Sequence, residues 1–177
     1  MQVITVHNEK GGVGKTTLAS TIASGLAKKG YLVVGLDADP QGNFGTNHGI
    51  VEHGGFYNFV MRNNKKSPDY IETRKLLIKP DPAKHPDNLY IVAGNSETAG
   101  IANQQRVPEL AYNIASRLSE LRGKVDYVII DTQPSGTALH DVIAPISDWY
   151  ICPTDCEALS AYRGLKSAIS HITYARE

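Results

Sequence analysis

The stretch that most limits what this chain can fold into is Lys10-Gly11-Gly12-Val13-Gly14-Lys15-Thr16-Thr17, which follows the apolar run Val3-Ile4-Thr5-Val6. Glycines let the backbone fold so tightly that successive N–H groups point inward at an anion. The segment after the loop reads as a helix: Leu18, Ile22 and Leu26 recur every four residues with Ala19, Ala23 and Ala27 beside them. Lys28, Lys29 and Gly30 then supply basic residues and a glycine stop. A helix starting near Lys15 adds its N-terminal dipole and unpaired N–H groups to the anion site. In a loop of this kind Lys15 reaches the β- and γ-phosphates of a nucleotide, and the Thr16 hydroxyl ligates Mg²⁺. The common spacing G-x-x-x-x-G-K-[ST] is not met, because Gly11, Gly12 and Gly14 are packed closer together and a second lysine, Lys10, stands at the front.

Two further segments end in carboxylates. Tyr31–Leu36 is short and apolar, suited to a parallel strand buried on both faces, and it delivers Asp37 and Asp39 to its C-terminal end. Open α/β sheets bind ligands at that end. Pro40 and Gly42 break the chain, so Asp39 is expected on a loop, where a carboxylate can orient an attacking water or respond to Mg²⁺. Asp37 reads either as support for a metal site or as a loop-turning residue. Val125–Ile130 is apolar apart from Asp126 and leads to Asp131, placed to hold a water of the Mg²⁺ shell. Thr132-Gln133-Pro134-Ser135-Gly136 follows as a loop able to sense a γ-phosphate.

Lys10–Thr17, Asp37-Ala38-Asp39-Pro40-Gln41-Gly42-Asn43 and Val128–Ser135 together resemble the ParA/MinD family of deviant Walker ATPases, and the second string resembles its ParA branch. The resemblance runs from residue 1 to the end of the chain. It implies ATP and Mg²⁺ as cofactors, with Lys10, Gly11, Gly12, Val13, Gly14, Lys15, Thr16 and Thr17 around the phosphates and Thr16, Asp131 and Asp37 at the metal. It also implies catalytic roles for Lys10, Lys15 and Asp39. Asp39 would be the hydrolytic, switch I aspartate, the loop after Asp131 would be switch II, and Lys10 would reach across a dimer interface to the partner's nucleotide. Where the family often carries Pro-Pro in switch II, this chain has Gln133-Pro134. Partners implied are a second copy of the chain in the ATP state, a ParB-type centromere-binding protein and non-specific DNA, with a cytoplasmic or nucleoid-associated location and no membrane. A MinD-like positioning ATPase acting on membrane or a protein assembly, and a low-turnover nucleotide-binding scaffold, stay open as alternatives.

With 18 basic and 18 acidic side chains, no global field announces a nucleic-acid or membrane partner. No apolar stretch approaches a membrane span. Cys152 and Cys156 are too few for a zinc site and read as reduced thiols. No Asn-Lys-x-Asp segment suggests a GTPase, and the cysteines lie away from switch II, against a metal cluster. Phe56, Tyr57, Phe59 and Val60 form an apolar anchor after a short helical stretch, while residues 61–88 are polar, with Arg62, Lys65 and Lys66 as solvated surface. Leu89–Ala93 predicts a strand, residues 97–121 a helix closed by Gly123, Asp148–Cys152 a strand, and residues 157–174 a terminal helix. The alternation predicts one α/β domain over residues 1–177, a mostly parallel sheet flanked by helices. Family members normally continue through further strands, so the chain reads as C-terminally shortened, and Met1 lies too near the first strand for a preceding helix-turn-helix domain.

Overall fold

A computed structural model describes residues 1–51, 55–102, 107–134, 138–154, 165–166 and 169. In chain order the elements are β1 (Gln2–Val6), α1 (Lys15–Lys28), β2 (Val33–Ala38), α2 (Asn43–Asn47), α3 (Gly55–Met61), α4 (Thr73–Leu76), β3 (Leu89–Val92), α5 (Thr98–Ala102), α6 (Val107–Leu121), β4 (Tyr127–Thr132), α7 (Ala138–Ile143), a 3₁₀ turn (Ala144–Ile146) and β5 (Trp149–Ile151). The strands form one parallel sheet in the order β3-β2-β4-β1-β5. Successive side chains of a strand point to opposite faces, and here both faces are covered. On one face Val33 and Ile129 pack with Ala19, Ala23, Ala27 and Phe44 of α1 and α2. On the other, Val34, Leu36, Val128 and Ile130 pack with Phe56, Phe59, Val60, Leu110, Ile114 and Leu118 of α3 and α6.

The alanine row of α1 is fully buried, whereas Leu18, Ile22 and Leu26 are half-buried at its flanks. Small side chains let the helix lie close on the strands, and its first turn is thereby fixed above the C-terminal end of β1. The ladder register then lines up the carboxylate-bearing strand ends: Val6 pairs with Asp131, and Asp37 pairs with Asp131 from the other side. The chain leaves β1 toward β2 on one side and leaves β4 toward β5 on the other. The crevice between β1 and β4 is therefore the topological switch point where sheets of this kind bind ligands.

Several predicted bounds move. The second strand is shifted two residues later than expected, and the fourth runs on through Asp131 and Thr132. The helix expected over 97–121 is described over Thr98–Ala102 (α5) and Val107–Leu121 (α6), with residues 103–106 outside the described set. The polar stretch 61–88 holds α4 and an antiparallel bridge between Ile78 and Ile91. Of the terminal helix, Leu165, Lys166 and Ile169 are helical; its other residues, like Ser135, Gly136 and Cys156, lie outside the described set.

Candidate functional site

The loop after β1 is held from both ends. Asn8 donates from Nδ2 to the Pro153 carbonyl at 2.7 Å and accepts the Lys10 N–H on Oδ1 at 2.8 Å. Gly12 and Gly14 have φ of 77° and 83°, a backbone shape that other residues adopt at a cost, and Gly14 is the N-cap of α1. Lys15 is 7% exposed and its Nζ donates to the Lys10 carbonyl at 2.9 Å, so the ammonium is folded over the loop. Burial pushes its pKa down, while the carboxylates of Asp131 and Asp39 oppose that shift.

A cavity of about 410 Å³ opens above this loop, lined by Gly11, Gly12, Gly14, Lys15, Thr16, Thr17, Asp39, Gln41, Asn43 and Pro134. Seven of the residues predicted for the site therefore share one concavity. Lys10, Val13, Asp37 and Asp131 are not part of that lining. Gln41, Asn43 and Pro134 were not among the predicted site residues; the first two belong to the quoted D-x-D-P-Q-G-N string, and that adjacency was the available signal. Asn8, two residues before Lys10, carries no local pattern that announces its anchoring bonds.

The two strand-end aspartates behave differently. Asp37 accepts backbone N–H groups from Asp39 at 3.2 Å and Gly45 at 2.9 Å, and also bonds the Gly94 backbone. Burial still pushes its pKa up to about 6. Both of its oxygens thus accept backbone N–H groups of the chain. Asp39 follows β2 and accepts the Gln41 N–H on Oδ1 at 2.9 Å, leaving its carboxylate at the cavity wall.

Asp131 is fully buried, and among the described residues neither of its carboxylate oxygens has a hydrogen-bond partner of ordinary geometry. The Thr16 hydroxyl is near enough to favour its charged form, but burial dominates and pushes the pKa up to about 7. An unpaired buried carboxylate is costly and calls for a partner. Beside a hydroxyl and under a glycine cradle, the fitting partner is a hard cation with its water shell, since Mg²⁺ is bound through one or two protein oxygens and keeps its waters.

Glycine cradle, buried lysine, helix N-terminus and strand-end aspartate on a parallel sheet define a P-loop nucleotide-binding domain of the deviant Walker type. The family model described as an AAA domain matches residues 1–177. The chain belongs to that family, the ParA/MinD-type ATPases. Over 173 residues it is 30% identical to the sporulation initiation inhibitor protein Soj of Bacillus subtilis, covering 97% of this chain and 64% of Soj. It is 28% identical to the chromosome partitioning protein ParA of Caulobacter vibrioides, covering 99% of this chain and 64% of that protein. The chain thus spans a little under two thirds of these relatives. Among solved structures, cobyrinic acid a,c-diamide synthase from Mycobacterium smegmatis with bound ATP analogue and magnesium superposes with a TM-score of 0.79 at 26% identity, covering 99% of this chain and 68% of that one. No helix among the described residues is long and apolar enough to cross a membrane.

Proposed function

We propose that this chain is the nucleotide-binding core of an ATP-dependent dimerisation switch of the partitioning type, hydrolysing ATP to ADP and phosphate. The observation that carries the reading is the pairing of the glycine cradle and Lys15 with the unpaired Asp131 carboxylate beneath it. The N–H groups of Gly11–Thr17 would hold the phosphates, and Lys15, released from the Lys10 carbonyl, would bind the β- and γ-phosphates. Thr16 and Asp131 would hold Mg²⁺ and its waters, with Asp37 behind them steadying the Asp39 loop. Bound Mg²⁺ supplies charge neutralisation on the phosphate oxygens.

Asp39, at the cavity wall, would orient the water that attacks the γ-phosphate in line. Lys10 would cross to the nucleotide of a second copy, so that dimerisation depends on the γ-phosphate and hydrolysis loosens it. Similarity to Soj and ParA supports DNA as the surface on which the switch acts, with a ParB-type protein stimulating turnover and a nucleoid-associated location. Slow Mg²⁺-dependent phosphate release from ATP, abolished in Lys15→Ala, is the expected result. Equal ATP binding and turnover in Lys15→Ala would refute the assignment of the loop.

A further inference from the structure

Behind the phosphate loop lies a chain of four side chains, three buried and one half-buried, to which no step of the proposed reaction is assigned. His7, directly after β1, is 1% exposed; Thr132, the last residue of β4, is 4%; and His140, in α7, is 3%. The Thr132 hydroxyl donates to the Val6 carbonyl at 3.1 Å, which uses its only hydrogen. The 2.7 Å contact between His7 Nδ1 and Thr132 Oγ1 therefore has His7 as donor and fixes a protonated Nδ1. The His7 ring lies against the His140 ring with centroids 3.5 Å apart. His140 Nε2 in turn meets the Tyr150 hydroxyl at 2.6 Å, and burial holds that phenol far above its ordinary pKa, so the hydroxyl stays protonated.

The order of these residues in the chain gives the cluster its meaning. Thr132 opens the segment expected to sense the γ-phosphate, and His140 lies shortly after it. His7 touches both, and its own N–H donates to the Ile151 carbonyl at 3.0 Å, tying the root of the phosphate loop to β5. One imidazole thus bridges the entry and exit of the loop and the end of β1, from which the phosphate loop Lys10–Thr17 follows. Purely structural packing would be served by an apolar side chain, as at neighbouring Val6.

We infer that His7 and His140 are positioning residues that clamp the two ends of the switch II loop to the phosphate loop, setting how a γ-phosphate is read. This rests on the nucleotide-switch reading above. His7→Leu removes the donor to Thr132, whereas His7→Asn keeps a donor nitrogen at a position equivalent to Nδ1. In variants with unchanged melting temperature, His7→Leu should lower ATP turnover about tenfold, the order expected for one lost buried hydrogen bond. ADP affinity should change by less than about twofold, because ADP relies on the cradle alone, and His7→Asn should recover turnover to within about threefold of the parent. Unchanged turnover in His7→Leu, or parallel losses of ADP affinity and turnover, would overturn the clamp. If the parent itself neither binds nor hydrolyses ATP, the functional reading fails, and amide exchange over residues 133–143 decides the clamp separately. Faster exchange in His7→Leu but not in His7→Asn supports it, and equal exchange in all three proteins refutes it.

Discussion

Replacing Asp131 by asparagine tests whether the site stores an uncompensated charge. The carboxylate is fully buried, has only the approach of the Thr16 hydroxyl and no hydrogen bond of ordinary geometry among the described residues, and has its pKa raised from 3.8 to about 7. A raised carboxylate pKa means that the folded state holds the proton more tightly than the unfolded chain. The stability so gained is complete below the unfolded value and is lost as pH rises through about 7. A shift of about three units at about 1.4 kcal/mol per unit corresponds to a charge cost of about 4 kcal/mol at pH 8. Asparagine removes the charge but leaves an amide in the same dry place, which costs about 1–3 kcal/mol. The net expectation is a variant about 1–3 kcal/mol more stable than the parent at pH 8. The advantage should shrink by about 3 kcal/mol at pH 5, where the parent's folded state is already protonated. Urea unfolding of both proteins at the two pH values, without nucleotide and with a chelator, measures this directly. Added Mg²⁺–ADP should stabilise the parent and have much less effect on the variant. A variant less stable at both pH values by the same amount would refute the reasoning, because it would mean that Asp131 is well satisfied within the chain.

Two other substitutions probe the scaffold. A Cβ added at Gly94 would lie 2.5 Å from the Asp39 carbonyl and 2.7 Å from the Asp37 carbonyl, both backbone. Gly94→Ala should therefore cost about 1–3 kcal/mol in thermal unfolding and weaken nucleotide binding by displacing Asp39. Gly100→Ala, which meets only the Tyr57 ring at 3.8 Å, should be neutral or slightly stabilising, and equal effects at the two positions would contradict this account. Arg117 is fully buried in α6, donating to the Phe59 and Arg62 carbonyls and to Thr73 Oγ1. Arg117→Met removes three buried hydrogen bonds, leaving the Arg62 carbonyl only the Ile71 N–H, and should cost about 3 kcal/mol, read from the urea midpoint, with an unshifted midpoint as the contrary result.

The phosphate loop was legible because its chemistry is local: consecutive glycines, a lysine and a threonine build the anion site from their own backbone. The parallel sheet was legible from apolar runs alternating with helical periodicity. What escaped depends on long-range partners. Polarity suggested that the second strand stops before Asp37, but N–H groups of Gly45 and Asp39 satisfy its carboxylate and let the strand continue to Ala38. Thr132 stays in β4 for the same reason, its hydroxyl bonded to the Val6 carbonyl far back in the chain. Arg117 reads in sequence as one more helix-surface charge, because the carbonyls that bury it come from α3 and the residue after it. Lys65, read as solvated surface, is exposed but pairs with Glu120 at 2.9 Å, a contact that no local pattern announces. His7, His140 and Tyr150 are scattered along the chain and meet only because β1 and β5 are neighbours in the sheet.

The most direct test of the proposed switch is molar mass by light scattering after size exclusion, with Mg²⁺ and either ADP or a slowly hydrolysed ATP analogue. Dimers with the analogue and monomers with ADP are expected, with Lys10→Ala monomeric in both. The same mass with both nucleotides, or dimers undisturbed by Lys10→Ala, would contradict a γ-phosphate-dependent switch.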